Sequence, residues 1–206
     1  MTALPRWLRQ PTVPDWPLYP LGFIPAVWLF IQAVTDNLGA DPAKALERGL
    51  GEWALRLIIL GLAITPLRQV AGINWVRYRR AIGLLAFFYV LLHLITYMVL
   101  DQGLDWAAIG ADILRRPYIT IGMLGFLLLL PLALTSTNAM IRRLGGVRWR
   151  RLHRLVYPAA FAGAAHYLLL VKSWPLEPII YALIVLALLV WRLVPVGKSG
   201  ARPERA

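Results

Sequence analysis

The sequence predicts an all-α integral membrane bundle of six transmembrane helices. Three observations support this fold class: 59% of the 206 residues are hydrophobic, six apolar runs lack charged residues, and arginine clusters separate several of these runs. A soluble domain of this composition would have too little polar surface to cover its core. We therefore expect a single transmembrane domain over residues 1–206, with no soluble domain and with membrane lipid around it.

Each predicted span is an apolar run, extended where a charged residue can reach the lipid headgroups. Three runs are close to the length of about 20 residues that crosses the hydrocarbon layer. The second span includes Glu52 and Arg56, because they form an i,i+4 pair in the favourable order with the acidic residue first. The sixth admits Arg192, whose side chain can snorkel to the interface. The predicted spans are residues 16–35, 49–67, 81–100, 118–138, 153–171 and 176–194.

The positive charges predict the orientation of these spans. Sixteen lysines and arginines fall on one side of the predicted membrane and five on the other, Lys44, Arg48, Arg115, Arg116 and Lys172. Under the positive-inside rule both termini are cytoplasmic, and the third and fifth helices run outward. The net charge of +12 lies in clusters between apolar runs, so we expect no nucleic-acid partner. We also expect no removable signal peptide, because no short apolar core with a cleavage site follows the first arginines.

Two histidines lie at matched depth in the third and fifth spans. His93 and His166 are each 13 residues into an apolar segment that begins at an arginine cluster, which places each imidazole about 20 Å along its helix. Ionisable side chains inside a membrane are costly and mark functional sites. Because the chain has no cysteine, iron–sulfur clusters and covalent haem are excluded. The pair predicts b-type haem between the third and fifth helices, with His93 and His166 as axial iron ligands; two unrelated polar residues are the alternative.

Small residues accompany both histidines on the same helix face. Ala86 and Ala159 each precede their histidine by seven residues, which is about two turns. They either make room for a porphyrin or allow close helix packing.

His153 is the third candidate site residue and lies at the inner end of the fifth span. A straight helix would point it away from His166, because 13 residues stop about 140° short of four full turns; a kink at Pro158 could redirect it. The third helix carries Arg79 and Arg80 at that level, so a second bis-histidine haem is not predicted. His153 holds an inner haem with another sixth ligand, binds a propionate or a quinone, or lies at the interface.

The arginines around His153 have two interpretations. The segment RLGGVRWRRLHR is a positive-inside signal or an anion site for a propionate or a flavin phosphate. Neither a Walker loop nor a dinucleotide-binding glycine motif occurs in the sequence, so no nucleotide-binding fold is predicted.

Several stretches closely resemble the MsrQ family, the haem-binding membrane subunits of periplasmic protein-methionine-sulfoxide reductase systems. The resemblance rests on RRAIGLLAFFYVLLHLITY, LDQGLDW, RRPYITIGMLGFLLLLPLALTSTNAMIRRLG and WRRLHRLVYPAAFAGAAH, over roughly residues 79–172. That family is similar to the six-helix haem part of ferric reductases and NADPH oxidases. The chain departs from the oxidase pattern of two histidines on each of two helices, because the third helix lacks the inner one.

The resemblance implies an electron carrier of the bacterial inner membrane. Electrons would come from the quinone pool or a cytoplasmic flavin reductase and pass to a periplasmic molybdopterin-containing methionine-sulfoxide reductase, which repairs oxidised proteins. The catalysis on methionine sulfoxide would lie in that partner. The resemblance also implies FMN, which no residue here visibly binds, and we expect no FAD- and NADPH-binding domain in this chain.

The chemistry of the histidine pair favours the same function. Two imidazoles leave no open coordination site on iron, which suits electron transfer. A haem in the outer half lies about 20 Å from the cytoplasmic face, so an inner carrier is expected, whether quinol, flavin or a haem near His153. The outer loops, residues 36–51, 101–116 and 172–177, are too short to hold an enzyme. A stand-alone ferric reductase and a non-redox scaffold or transporter are the competing functions.

Overall fold

The computed structural model describes residues 13–171, 173 and 175–193. These residues form α-helices joined by short turns, and no strand occurs among them, so the predicted all-α class is confirmed for this part of the chain. The helices are α1 (Leu18–Val34), α2 (Pro42–Val70), α3 (Arg79–Thr96), α4 (Trp106–Arg115), α5 (Pro117–Leu134), α6 (Asn138–Leu144), α7 (Gly146–Leu152), α8 (Val156–Leu170) and α9 (Leu176–Trp191).

Within the described part of the chain, three helical segments are long and apolar enough to cross a membrane. They are Pro42–Val70, Val76–Asp101 and Pro117–Leu134, and the middle one joins a 3-10 turn, α3 and the π-helical turn Tyr97–Asp101. Two shorter apolar helices, α1 and α9, accompany them. The chain is thus a membrane protein with several apolar helices, and six spans stay a prediction. Residues 172 and 174 of the predicted loop between the fifth and sixth spans, and residue 194 at the end of the predicted sixth span, lie outside the described residues.

The second helix begins seven residues earlier than the span predicted from the sequence. Asp41 caps it, because its carboxylate accepts a hydrogen bond from the backbone nitrogen of Lys44 at 3.1 Å, and Pro42 occupies the first helical position. Lys44 and Arg48, expected in an outer loop, therefore lie on the first turns of α2. The loop predicted over residues 101–116 also holds a helix, α4, which Asp105 caps at the nitrogens of Ala107 and Ala108.

The inner arginine stretch is helical where a connection was expected. α6 and α7 meet at Gly145, whose φ of +74° is easily adopted only by a residue without a Cβ. The α-helix of the fifth span begins at Val156, after a 3-10 turn over His153–Leu155. Pro158 lies in the first turn of α8, where its missing N–H breaks no helical hydrogen bond. The change of helix geometry next to His153 thus falls at the 3-10 turn.

Two antiparallel helix pairs form the centre of the bundle. The pairs α2–α3 and α5–α8 have the most extensive contacts in the described structure, and α9 packs on α8 and α2. Their shared core includes Leu55 and Ile58 of α2, Ala86 of α3, Leu129 of α5 and Ala159 of α8. The candidate site lies between the two pairs.

Tyr89 anchors α1 to this centre. Its hydroxyl donates to the carbonyl of Gly22 at 2.7 Å and accepts from the backbone nitrogen of Ala26 at 3.0 Å. These two backbone groups are four residues apart on α1. The fully buried tyrosine therefore holds α1 against α3 through two hydrogen bonds to its backbone.

Candidate haem site

The two matched histidines face each other across the centre of the bundle. The ring centroids of His93 on α3 and His166 on α8 are 6.0 Å apart, and the ring planes are inclined by 76°. Both rings line a cavity of about 330 Å³ between α2, α3, α5 and α8. We call it the outer cavity, because Lys44, Asp101 and Arg116 of the connections predicted to be outer line one end of it.

Each imidazole is held by a backbone carbonyl of a neighbouring helix. Nδ1 of His93 lies 2.8 Å from the carbonyl oxygen of Glu47, and Nδ1 of His166 lies 2.7 Å from that of Tyr118. A carbonyl oxygen only accepts hydrogen bonds, so both Nδ1 atoms carry the proton. Each Nε2 then keeps its lone pair for a metal, which is the usual arrangement of metal-binding histidines.

The donor set and its spacing fit haem. Two imidazoles on opposite sides of one metal ion have centroids about 6 Å apart, because each metal–nitrogen bond is about 2 Å and each centroid lies about 1 Å behind its nitrogen. Among the described residues no group of three or more histidine, aspartate and glutamate side chains could hold a bare metal ion. Two nitrogens therefore suit a metal whose other ligands come from a macrocycle.

Positive charges stand at the outer end of the cavity, where carboxylate substituents of such a macrocycle could reach them. Lys44, Arg48 and Arg116 line it there. The hydrogen bond from Arg116 to the Tyr118 hydroxyl, 3.5 Å long, raises the pKa of Arg116 above its ordinary value, so this guanidinium stays charged.

A polar network continues from the cavity wall toward α9. The predicted Glu52–Arg56 ion pair is confirmed, with a nitrogen–oxygen distance of 3.2 Å. The other carboxylate oxygen of Glu52 accepts from the Tyr167 hydroxyl at 3.1 Å, and Arg56 donates to the Tyr181 hydroxyl at 2.7 Å. These bonds compensate a carboxylate placed beside an apolar cavity.

His153 lies in a different environment. Its ring stacks on Trp149 with a centroid distance of 3.8 Å, and its Nε2 lies 3.2 Å from the Thr135 hydroxyl. Thr135 gives its own proton to the carbonyl of Pro131 at 2.6 Å, so Nε2 of His153 is the donor to Thr135. Nε2, which stays free in His93 and His166, is thus hydrogen-bonded in His153.

His153 lines a second cavity of about 570 Å³, which we call the inner cavity. Its described wall contains no carboxylate and carries five arginines, Arg79, Arg80, Arg150, Arg154 and Arg192. Arg79 and Arg192 both donate to the Thr65 hydroxyl, at 2.6 and 2.7 Å. Ile58 and Leu129 line both cavities, so a single layer of side chains separates them.

Comparisons with known proteins agree on a family. The family described as "Ferric reductase like transmembrane component" matches residues 50–164. A Brucella anthropi protein named protein-methionine-sulfoxide reductase heme-binding subunit MsrQ is 60% identical over 188 residues, which cover 91% of this chain and 85% of that protein. The Brucella ovis protein of the same name is 61% identical over 178 residues, 86% of this chain and 80% of the relative. This chain belongs to the MsrQ family.

In this MsrQ-family chain the two alanines have different surroundings. Ala159 is completely buried and lines the outer cavity, whereas Ala86 is buried in the core and lines the inner one. Ala159 and Ala162 also lie against Gly125 of α5. Close helix packing and space beside a cavity therefore occur together, so the two interpretations of these alanines, room for a porphyrin and close helix packing, are compatible.

The sequence patterns did not reveal the partners that hold the histidines. They are the carbonyls of Glu47 and Tyr118 and the glycines one turn further along, Gly51 and Gly122, where an added Cβ would lie 3.1 and 2.7 Å from the two Nδ1 atoms. A signal was present, because each glycine follows the residue with the accepting carbonyl by four positions, on a helix opposite a histidine. Recognising it requires knowledge of which helices are neighbours.

Proposed function

We propose that this chain binds b-type haem between α3 and α8, with His93 and His166 as axial iron ligands. We further propose that it is an electron-transfer subunit for a periplasmic molybdopterin-containing methionine-sulfoxide reductase that repairs oxidised proteins. The observation that carries the haem proposal is the pair of imidazoles 6.0 Å apart, each bound through Nδ1 to a carbonyl. The names of the relatives support haem and the reductase partner.

The residues of the site have defined tasks in this function. Bound haem would supply a one-electron carrier. The imidazoles of His93 and His166 would occupy both axial positions and leave no site for oxygen or substrate. The carbonyls of Glu47 and Tyr118 hold the two rings in one tautomer. The cations at the outer end of the cavity would balance anionic substituents.

The membrane placement proposed for this function is the bacterial inner membrane, with six spans and both termini cytoplasmic. The arginine and lysine count supports it, sixteen against five. His93 and His166 then lie in the periplasmic half, and electrons would leave on that side. The short outer connections hold no catalytic domain, so a separate reductase subunit would act on methionine sulfoxide.

The inner cavity is the proposed entry point for electrons, from the quinone pool or from a cytoplasmic flavin reductase. Two features support this placement: the cavity lies at the arginine-rich end, and it shares Ile58 and Leu129 with the outer cavity. An inner carrier would therefore lie next to the haem. FMN is one candidate for this carrier, because arginines bind phosphate groups.

The first test is spectroscopic. The purified chain should show a reduced-minus-oxidised spectrum of low-spin b-type haem, with haem and flavin quantified per polypeptide. Absence of haem would contradict the proposal and favour a scaffold or transporter. The steep angle of 76° between the ring planes predicts a strongly anisotropic low-spin EPR signal.

The second test is functional. Membrane vesicles containing this chain should pass quinol-derived electrons to a separately purified periplasmic reductase subunit, which then reduces protein-bound methionine sulfoxide. His166→Ala vesicles should lose this activity. Equal turnover in that control would show that electrons by-pass the haem.

A stand-alone ferric reductase is the second candidate, because the family that matches residues 50–164 is described by that activity. Rapid reduction of external ferric chelates by the same vesicles, with no partner added, would favour this candidate.

A further inference from the structure

The same backbone arrangement holds both histidines, although the two helix pairs have different sequences. Nδ1 of His93 binds the carbonyl of Glu47 on α2, and the ring lies beside Gly51, four residues later. Nδ1 of His166 binds the carbonyl of Tyr118 on α5, and the ring lies beside Gly122, again four residues later. We call each carbonyl with its glycine a socket.

Helix geometry explains why a glycine stands at that position. In an α-helix the carbonyl of residue i accepts from the N–H of residue i+4 and keeps a second lone pair. Side chains point toward the N-terminus of a helix, so the side chain of residue i+4 covers the region of that carbonyl. A glycine at i+4 leaves the carbonyl accessible to a ring from another helix.

We propose that Gly51 and Gly122 are positioning residues of the haem site, because they keep open the carbonyl that fixes the tautomer and orientation of each imidazole. The proposal rests on the proposed haem function. Neither glycine would touch the metal; each acts through the histidine that it adjoins.

The space beside the imidazole is smaller in one socket than in the other, so the two glycine-to-alanine changes should disturb their histidines to different degrees. A Cβ added at Gly122 would lie 2.7 Å from Nδ1 of His166, closer than non-bonded atoms approach, so the ring must move. A Cβ at Gly51 would lie 3.1 Å from Nδ1 of His93, which a small displacement relieves. Gly122→Ala should therefore detach His166 from iron, whereas Gly51→Ala should only reorient the ring of His93.

The experiment compares four alanine variants of the full chain in detergent. Gly61→Ala on α2 and Gly110→Ala on α4 are the controls: a Cβ at Gly61 makes an ordinary 3.7 Å contact with Ile82, and a Cβ at Gly110 has no neighbour within 4 Å. Alanine is a better helix former than glycine, so a loss in the test variants does not come from helix propensity.

The readouts separate positioning from folding. Gly122→Ala should retain haem that is five-coordinate and high-spin and that binds CO, and added imidazole should restore the low-spin spectrum. Gly51→Ala should stay low-spin, with altered EPR g values and a shifted midpoint potential. Both controls should keep the wild-type spectrum.

Two results would overturn the proposal. One is a Gly122→Ala protein with the wild-type spectrum, g values and potential. The other is an equal loss of low-spin haem in all four variants, which would show that any added methyl disturbs the bundle. If the Gly122→Ala protein does not accumulate, the Gly51→Ala protein tests the proposal, and an EPR signal identical to that of the wild type in this variant overturns it. Failure of the haem function itself is distinguishable, because the wild-type chain would then lack the bis-histidine spectrum.

Discussion

The outer and inner halves of the bundle use histidine in opposite ways. In the outer half, His93 and His166 bind backbone carbonyls through Nδ1 and leave Nε2 free. In the inner half, His153 donates from Nε2 to Thr135, and Trp149 covers one face of its ring. The nitrogen that the protein engages therefore decides whether a buried histidine is ready to bind a metal.

The charges of the two halves differ as well. Cations and carboxylates stand together at the outer end, as in the Arg116–Asp112 pair at 3.2 Å and the Glu52–Arg56 pair. The described wall of the inner cavity holds five arginines and no carboxylate, and the buried Nε of Arg192 has no hydrogen-bond partner among the described residues. The inner cavity is therefore suited to an anionic ligand, and the outer one to a ligand held chiefly by two imidazoles.

The prediction with the largest effect tests whether His93 and His166, and not His153, bind the haem iron. His93→Ala and His166→Ala should each abolish the low-spin haem, because either change removes an axial ligand. His153→Ala should leave the bis-histidine spectrum substantially intact. Absorbance and EPR of the three variants measure this. If His153→Ala alone removed all haem while His166→Ala retained it, the ligand assignment would be wrong.

A second prediction separates electron entry from haem binding. Arg79→Gln and Arg192→Gln should each slow the quinol-driven reduction of haem about tenfold, the loss expected for one charge-assisted hydrogen bond of about 1.5 kcal/mol. The dithionite-reduced spectrum should not change, because neither residue lines the outer cavity. Stopped-flow absorbance follows the reduction.

Arg142→Gln is the matched control for these two variants, because Arg142 lies on α6 and does not line the inner cavity. Equal rates in all three variants would argue against electron entry at this cavity.

A third prediction concerns the Thr135 hydroxyl, which accepts a hydrogen bond from Nε2 of His153. Thr135→Val should destabilise the protein by about 1 kcal/mol, since it leaves Nε2–H of His153 without its partner, and Thr135→Ser should retain most of the stability. The ratio of haem to protein should stay the same, because Trp149 still covers the ring. Thermal unfolding and pyridine haemochrome analysis measure these quantities. A second haem found only in Thr135→Val would show that the hydroxyl alone excludes a metal.

The smallest effect lies at the outer end of α2. The hydrogen bond from the backbone of Lys44 lowers the pKa of Asp41 below its ordinary value. A lowered pKa stabilises the fold above the ordinary value and loses this contribution as the pH falls through the native pKa. Asp41→Asn, which keeps a capping side chain, should slightly reduce the acid sensitivity of thermal unfolding. Identical pH profiles for the two proteins would contradict this role of the carboxylate.

Much of the architecture could be predicted from residue patterns. Apolar runs and arginine clusters indicated the all-α class, the Glu52–Arg56 pair and the positions of the long helices, because these follow from local spacing. The patterns did not reveal that α2 begins at Pro42 or that α4 occupies an outer connection. Both depend on capping by Asp41 and Asp105, short-range signals that lie among charged residues typical of a loop.

The helical membrane character of this chain and the equal depth of two histidines follow from the order of residues alone, because both are read along one dimension. The hydrogen-bond partner of each histidine depends on which helices pack together. His93 and His166 find carbonyls beside glycines, whereas His153 finds a hydroxyl and an indole. The hydrogen-bond acceptors lie 18 to 48 residues away along the chain, so helix packing selects them, whereas the indole of Trp149 is a local neighbour four residues before His153.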